Sequence, residues 1–250
     1  MADNTVTQPF LSSVELVRER VPNFDRYPYC IPALRNLETL HLNPRVTFFV
    51  GENGTGKSTL LEAIAIVEGF NPEGGSRNFN FATRESHSEL CDCIRHSRPP
   101  RLMRDTDGFF FRAESFFNVA TEIESLYPSA YGQTPLHEQS HGESFFSLVL
   151  NRFKGNGLYL LDEPESALSP SHQRSFLTAM SDLIKDGSQF IIATHSPILM
   201  AYPGGTIFQF TESSTREVPY KETEHYKITK SFLQRTEQML AELTGDSPVA

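Results

Sequence analysis

Apolar residues along this chain follow two rhythms. Unbroken apolar runs of strand length occur at "RVTFFV" (45–50), "LYLL" (158–161), "QFIIA" (189–193) and "TIFQF" (206–210), and "FFFRAESFFNVATEIESL" opens on another. A strand covered on both faces needs such a run, because neither side can be polar. Between the runs lie stretches of helical spacing. In "LLEAIAIVEGF", Leu60, Leu61, Ile64 and Val67 keep one stripe until Gly69; "FFSLVLNRF" stops before Gly155, and "HQRSFLTAMSDLIKDG" closes on Gly187. Apolar strands alternating with helices predict an α/β fold, a mainly parallel sheet covered by helices.

The remaining pattern is weaker. Residues 14–42 read as a short strand, a loop with Pro and Tyr, and a second short segment. A helix is expected near 85–96, "REVPY" is strand-like, and a last helix is expected over about 223–243. Pro128, Gly132 and Pro135 mark a loop before "HEQSHGESFFSLVL" (137–150), where polar residues run directly into an apolar helical stretch.

Composition narrows the setting. A net charge of −9 over 250 residues, with pI ≈ 5.4, does not suit the chain as a whole for an anionic polymer or membrane surface. Three cysteines, Cys30, Cys91 and Cys93, are too few and too irregular for a disulfide framework, so a cytoplasmic location is expected. No apolar run approaches the roughly 20 residues that span a bilayer, so no direct membrane insertion is expected. No sustained heptad pattern is present, which leaves no long coiled coil.

The chemistry concentrates at strand ends. Gly51, Glu52, Asn53, Gly54, Thr55, Gly56, Lys57, Ser58 and Thr59 follow one apolar run and precede a helix, with the spacing G-x-x-x-x-G-K-S. Glycines let successive backbone N–H groups turn toward phosphate oxygens, and the helix start adds its partial positive charge. Lys57 would lie on the β- and γ-phosphates and Ser58 on Mg²⁺. Asp162 and Glu163 stand at the carboxyl end of another run, where one acid can hold a metal and the next can polarise an attacking water. His195 ends a third run, where a neutral imidazole can reach the same γ-phosphate.

Gly51 to Thr59, Asp162-Glu163-Pro164, "SALS" (166–169) and His195, in that order, resemble the ABC-type ATPases, and within them the small soluble branch near the SMC, Rad50 and RecF proteins. The resemblance spans about residues 45–197. It implies a single ABC-type P-loop domain over 1–250, with a helical lobe at about 85–153 inserted in the core. It implies ATP and Mg²⁺, with Asp162 and Ser58 at the metal, Glu163 as general base, His195 as switch histidine and Lys57 on the phosphates. It implies a homodimer closing on ATP, in which Ser166–Ser169 touch the other protomer. Ser140, Gly142 and Glu143 are then the signature facing the other protomer's ATP, although His141 and Glu143 depart from the family's glycine and glutamine; an ordinary helix cap is the other reading of that stretch. Glu114 stands where the family has a metal-linked glutamine, with Arg112 as its partner or as a phosphate contact.

The same resemblance implies ATP hydrolysis driving a switch on an unidentified effector, in nucleic-acid maintenance or phage defence. The alternative is the ATP-binding subunit of a membrane transporter. A kinase or GTPase is disfavoured, since no N-K-x-D guanine reader is present. His87, Cys91, Cys93 and His96 invite a zinc reading, but a C-x-C pair on a helix points its thiols about 200° apart. Arg95, Arg98, Arg101 and Arg104 form a basic run that fits a solvated loop or a contact for nucleic acid or an acidic partner. Tyr27 or Tyr29 could stack on adenine.

Overall fold

The computed structural model describes residues 8–77, 88–100, 107–116 and 141–245. Its main sheet is built from β3 (Val46–Val50), β5 (Asp107–Arg112), β6 (Gly157–Asp162), β7 (Gln189–Ala193), β8 (Thr206–Phe210) and β9 (Thr215–Glu217), in the order β5-β6-β7-β3-β8-β9. All neighbours pair parallel except β9, which runs antiparallel at one edge. β3, β5, β6, β7 and β8 are buried almost throughout, the physical counterpart of their unbroken apolar runs.

Alternate residues of each strand feed two cores. Phe49, Phe110, Leu158, Leu160 and Ile191 face α2 (Lys57–Val67) and the N-terminal region. Phe48, Phe109, Tyr159, Leu161 and Ile192 face α4 (His141–Arg152), α5 (Pro170–Lys185) and α6 (Pro197–Met200). Phe145 of α4 meets Phe176 of α5 and Phe111 of β5 edge-on, with centroids 5.4 and 4.8 Å apart. The α/β expectation, helices on both faces of a mainly parallel sheet, is met.

A second sheet was not legible in the pattern. β1 (Ser13–Leu16) pairs antiparallel with β2 (Leu40–His41) and with β4 (Ile94–Ser97). The helix expected at 85–96 is therefore corrected: among its described residues, 88–96, only α3 (Leu90–Cys93), one turn, is helical, and the chain then extends because β1 offers Leu16 opposite Ile94 and Val14 opposite His96. α3 packs on α2. Of the lobe expected at about 85–153, residues 85–87, 101–106 and 117–140 lie outside the described residues. Near the C-terminus, the single helix expected at 223–243 is two, α7 (Glu224–Gln234) and α8 (Thr236–Thr244), broken at Arg235 where φ is −136°. The short α1 (Pro32–Arg35) lies beneath the glycine-rich loop, with Leu34 against Gly56.

Candidate functional site

The parallel strands bring their carboxyl ends to one edge, and the loop after β3 rises there. Gly51 has φ +143°, and a Cβ on it would sit 2.2 Å from the Phe210 carbonyl oxygen of β8. Only glycine lets the loop leave β3 so close to its neighbour. Gly51→Ala is expected to lower stability by about 2–4 kcal/mol, from backbone strain plus the overlap. Chemical denaturation at constant m-value measures it.

Gly56, also at positive φ, precedes α2, whose first-turn N–H groups have no partner within the helix. Lys57 is buried and donates from Nζ to the carbonyls of Gly51, at 2.7 Å, and Glu52, at 2.8 Å. Thr55 Oγ donates to the same Glu52 carbonyl. Burial lowers the Lys57 pKa from its ordinary value, against the pull of Glu163 and Asp162. At the next residue, Ser58 Oγ donates to Asp162 Oδ1 at 2.8 Å. Hydroxyl and carboxylate oxygens side by side are the hard donors that Mg²⁺ takes. Burial pushes the Asp162 carboxyl up to about 6, opposed by the Ser58 hydrogen bond and by Arg112, whose Nε lies 4.0 Å from Oδ2. An acid that resists standing charged alone is suited to a cation.

Glu163 begins the turn after β6 in a left-handed conformation, φ 51° and ψ 49°, uncommon for a residue with a side chain. Its N–H donates to the Ala193 carbonyl of β7, and the Glu163 carbonyl accepts from Ser166 Oγ, so the strain is held from both sides. The turn leaves its carboxylate part-exposed, 3.6 Å from His195 Nε2. Glu165, two residues on, is half-buried, and its Oε1 accepts the His195 N–H at 2.5 Å. Burial raises the pKa of Glu165, opposed by that hydrogen bond. Burial lowers the pKa of His195, as do the charges of Lys57 and His225.

Lys57, Ser58, Asp162, Glu163 and His195 are therefore brought together. Lys57, Ser58, Thr59, Asn53, Gly54 and Glu163 border a cleft of about 360 Å³. Glu114 borders it too, but its side chain is 89% exposed and 3.7 Å from Arg112. The structure shows no contact from Glu114 to Asp162 or Ser58. Arg112 instead donates to the Pro72 carbonyl and to Glu62, which also accepts the Ser88 N–H. The two tyrosines separate: Tyr29 is core, its hydroxyl on the Glu89 carbonyl and Cys93, while Tyr27 is exposed at the cleft rim with its hydroxyl 3.4 Å from Thr59 Oγ.

Ser140 lies outside the described residues. Gly142 and Glu143 fall in the first turn of α4, which begins earlier than the apolar run suggests. Glu143 is exposed, whereas Gly142 is buried, and a Cβ there would meet the Ala167 carbonyl and His172 at 3.0 Å. Glycine thus has a packing reason within the chain as well. Ser169 caps α5 by accepting the His172 N–H.

The other sequence signals fall elsewhere. His87, Arg101 and Arg104 lie outside the described residues. Cys93 contributes its thiol to Tyr29 and the Arg20 carbonyl. Arg95 pairs with Glu15 at 3.1 Å and Arg98 with Glu68, so this stretch of the basic run is neutralised by acids. Sequence reasoning missed Glu165, visible only as a third acid in "DEPE", and His225, which has no local signal at all. Among the described residues no helix is long and apolar enough to cross a membrane.

Two family models match the chain. One, described as "AAA domain", matches residues 23–122, and the other, described as "AAA domain, putative AbiEii toxin, Type IV TA system", matches residues 126–201. Among curated proteins, the chain is similar to the macrolide export ATP-binding/permease protein MacB of Marinobacter nauticus, 21% identical over 201 residues, covering 70% of this chain and 30% of that one. It is also similar to the cytochrome c biogenesis ATP-binding export protein CcmA of Rhodopseudomonas palustris, 29% identical over 162 residues, 61% of this chain and 78% of that one. Two solved structures are similar as well. The SMC head domain of Thermotoga maritima is 17% identical with a TM-score of 0.45, covering 84% of this chain and 98% of that one. CbiO1 of Clostridium perfringens, part of the ABC transporter complex cbiONQ, is 17% identical with a TM-score of 0.48, covering 95% and 99%.

Proposed function

We propose, for a chain that is a P-loop ATPase of the AAA and ABC type, that ATP closes two copies head to tail and that hydrolysis reopens them, making it a switch on a partner protein. The observation that carries this reading is the meeting of Lys57, Ser58, Asp162, Glu163 and His195, from three loops at the ends of β3, β6 and β7, at one sheet edge. Lys57 and the first-turn amides of α2 hold the phosphates. Ser58 and Asp162 hold Mg²⁺, which would neutralise phosphate charge. Glu163 orients and polarises the attacking water, and His195 supplies a hydrogen bond from Nε2. Tyr27, at the rim, takes the adenine face.

In the closed pair, Ser140, Gly142 and Glu143 of one copy face the triphosphate of the other, beside Ser166–Ser169. An acid at 143 is tolerable there because it is exposed to solvent. The partner is an effector in nucleic-acid maintenance or phage defence; the type IV toxin–antitoxin wording of one matched model supports the defence setting. A second reading, the ATP-binding subunit of a transporter, is favoured by the names of the curated relatives.

Mixing two inactive variants tests the composite site. Lys57→Ala loses the cradle and keeps the signature, and Ser140→Arg does the reverse, so a mixed dimer regains one complete site. ATPase activity above the sum of the two variants alone is the expected result. Activity that stays at the sum of the two counts against head-to-tail closure.

A further inference from the structure

The imidazole of His195 is gripped from behind by a second one. His195 Nδ1 lies 3.0 Å from Nε2 of His225, 30 residues later, and the rings meet at 62° with centroids 5.1 Å apart. His225 is fixed by the first turn of α7. Buried Thr223 caps that helix through the Tyr226 N–H, and Tyr220 donates its hydroxyl to the Pro197 carbonyl beside His195. The charged groups facing the pair are Lys57, Glu163, Glu52 and Glu224, with Glu165 on the His195 backbone N–H.

Burial keeps both rings toward the neutral form, and two neutral imidazoles can share only one proton between facing nitrogens. Were that proton on His195 Nδ1, its Nε2 would turn a lone pair toward the Glu163 carboxylate 3.6 Å away, acceptor against acceptor. With the proton on His225 Nε2, the His195 proton moves to Nε2. That nitrogen is buried and has no hydrogen-bond partner among the described residues. It is then a desolvated donor aimed at the edge where the γ-phosphate would sit.

We propose that His225 is a positioning residue for hydrolysis: its Nε2–H donates to His195 Nδ1 and fixes the tautomer in which His195 presents Nε2–H to the reacting phosphate. This rests on the reading of His195 as a phosphate contact. It ties the C-terminal helix α7 directly to the chemistry.

The test uses the full chain and three substitutions. His225→Leu removes the donor and is expected to lower kcat about tenfold or more, with KM for ATP little changed. His225→Gln places an amide N–H where Nε2 stood and is expected to restore most of kcat. His225→Glu can only accept, so it draws the proton to Nδ1; its kcat is expected to rise as pH falls and His195 takes up a second proton, while the parent's does not. Long-range ¹⁵N–¹H correlation of the parent should show His195 protonated at Nε2. An Nδ1–H tautomer there overturns the proposal whatever the variants do, as does equal loss in the Leu and Gln variants or no loss in either. Full activity of His195→Ala would instead sink the underlying reading of His195.

Discussion

Glu163→Gln is expected to lower ATP turnover by about a hundredfold to a thousandfold while leaving ATP binding intact, and to hold the chain as a dimer in Mg-ATP. The substitution is isosteric. It preserves the backbone bond from the Glu163 N–H to Ala193 and the turn closed by Ser166, so the left-handed conformation survives. What it removes is the negative charge able to polarise a water, 3.6 Å from His195. Because the side chain is part-exposed, the folded state should lose little. Phosphate release measures the chemistry, and light scattering with and without Mg-ATP measures the dimer. Full turnover would remove Glu163 from the role of base. A monomer with ATP bound would count strongly against closure around two nucleotides.

Lys57→Ala should abolish nucleotide capture at little cost to the free protein. The Lys57 ammonium bridges two carbonyls of its own loop, a geometry that closes the cradle around one cation. Without it, those carbonyls face the cleft and can take water, so the melting temperature of the free chain should move only slightly. The nucleotide effect is large because a charge-assisted contact to phosphate is lost in a partly desolvated site. At an ATP concentration 100 times the parent's Kd, ligand stabilises the parent by about 2.7 kcal/mol; a hundredfold weaker variant gains only about 0.4 kcal/mol. Thermal shift with ATP resolves that difference. A variant that keeps the full shift would mean that the phosphates do not lie on Lys57.

How much of this could be read from sequence depends on how local each feature is. The cradle is one continuous segment between a strand and a helix, so spacing alone locates Gly51 to Thr59. Asp162 and Glu163 share that advantage, since an apolar run announces where its strand ends. The small sheet does not: β2 has two residues, β4 four, and neither carries an apolar run, so their pairing depends on β1 from a distant part of the chain. Leu90–Ser97 could equally satisfy a helical or an extended pattern over so short a length. His225 was invisible for a deeper reason. Its meaning comes wholly from a neighbour 30 residues away, brought close by the packing of α7 on α6. Arg112, expected as a partner of Glu114 or a phosphate contact, does lie 3.7 Å from Glu114 and is also a strut between Glu62 and Asp162, which no local pattern announces.

The position of β3 has a consequence for how the chain matures. It lies between β7 and β8, which are made some 140 to 160 residues after it, and Gly51 takes its shape against Phe210. Contacts so distant in sequence form late, because a long loop must close before they stabilise anything. A ribosome-bound chain that has already exposed Gly51 to Thr59 would therefore hold that segment as loose peptide. The capacity to grasp a triphosphate would arise only once β8 has been made, and shorter growing chains would be spared premature capture of nucleotide.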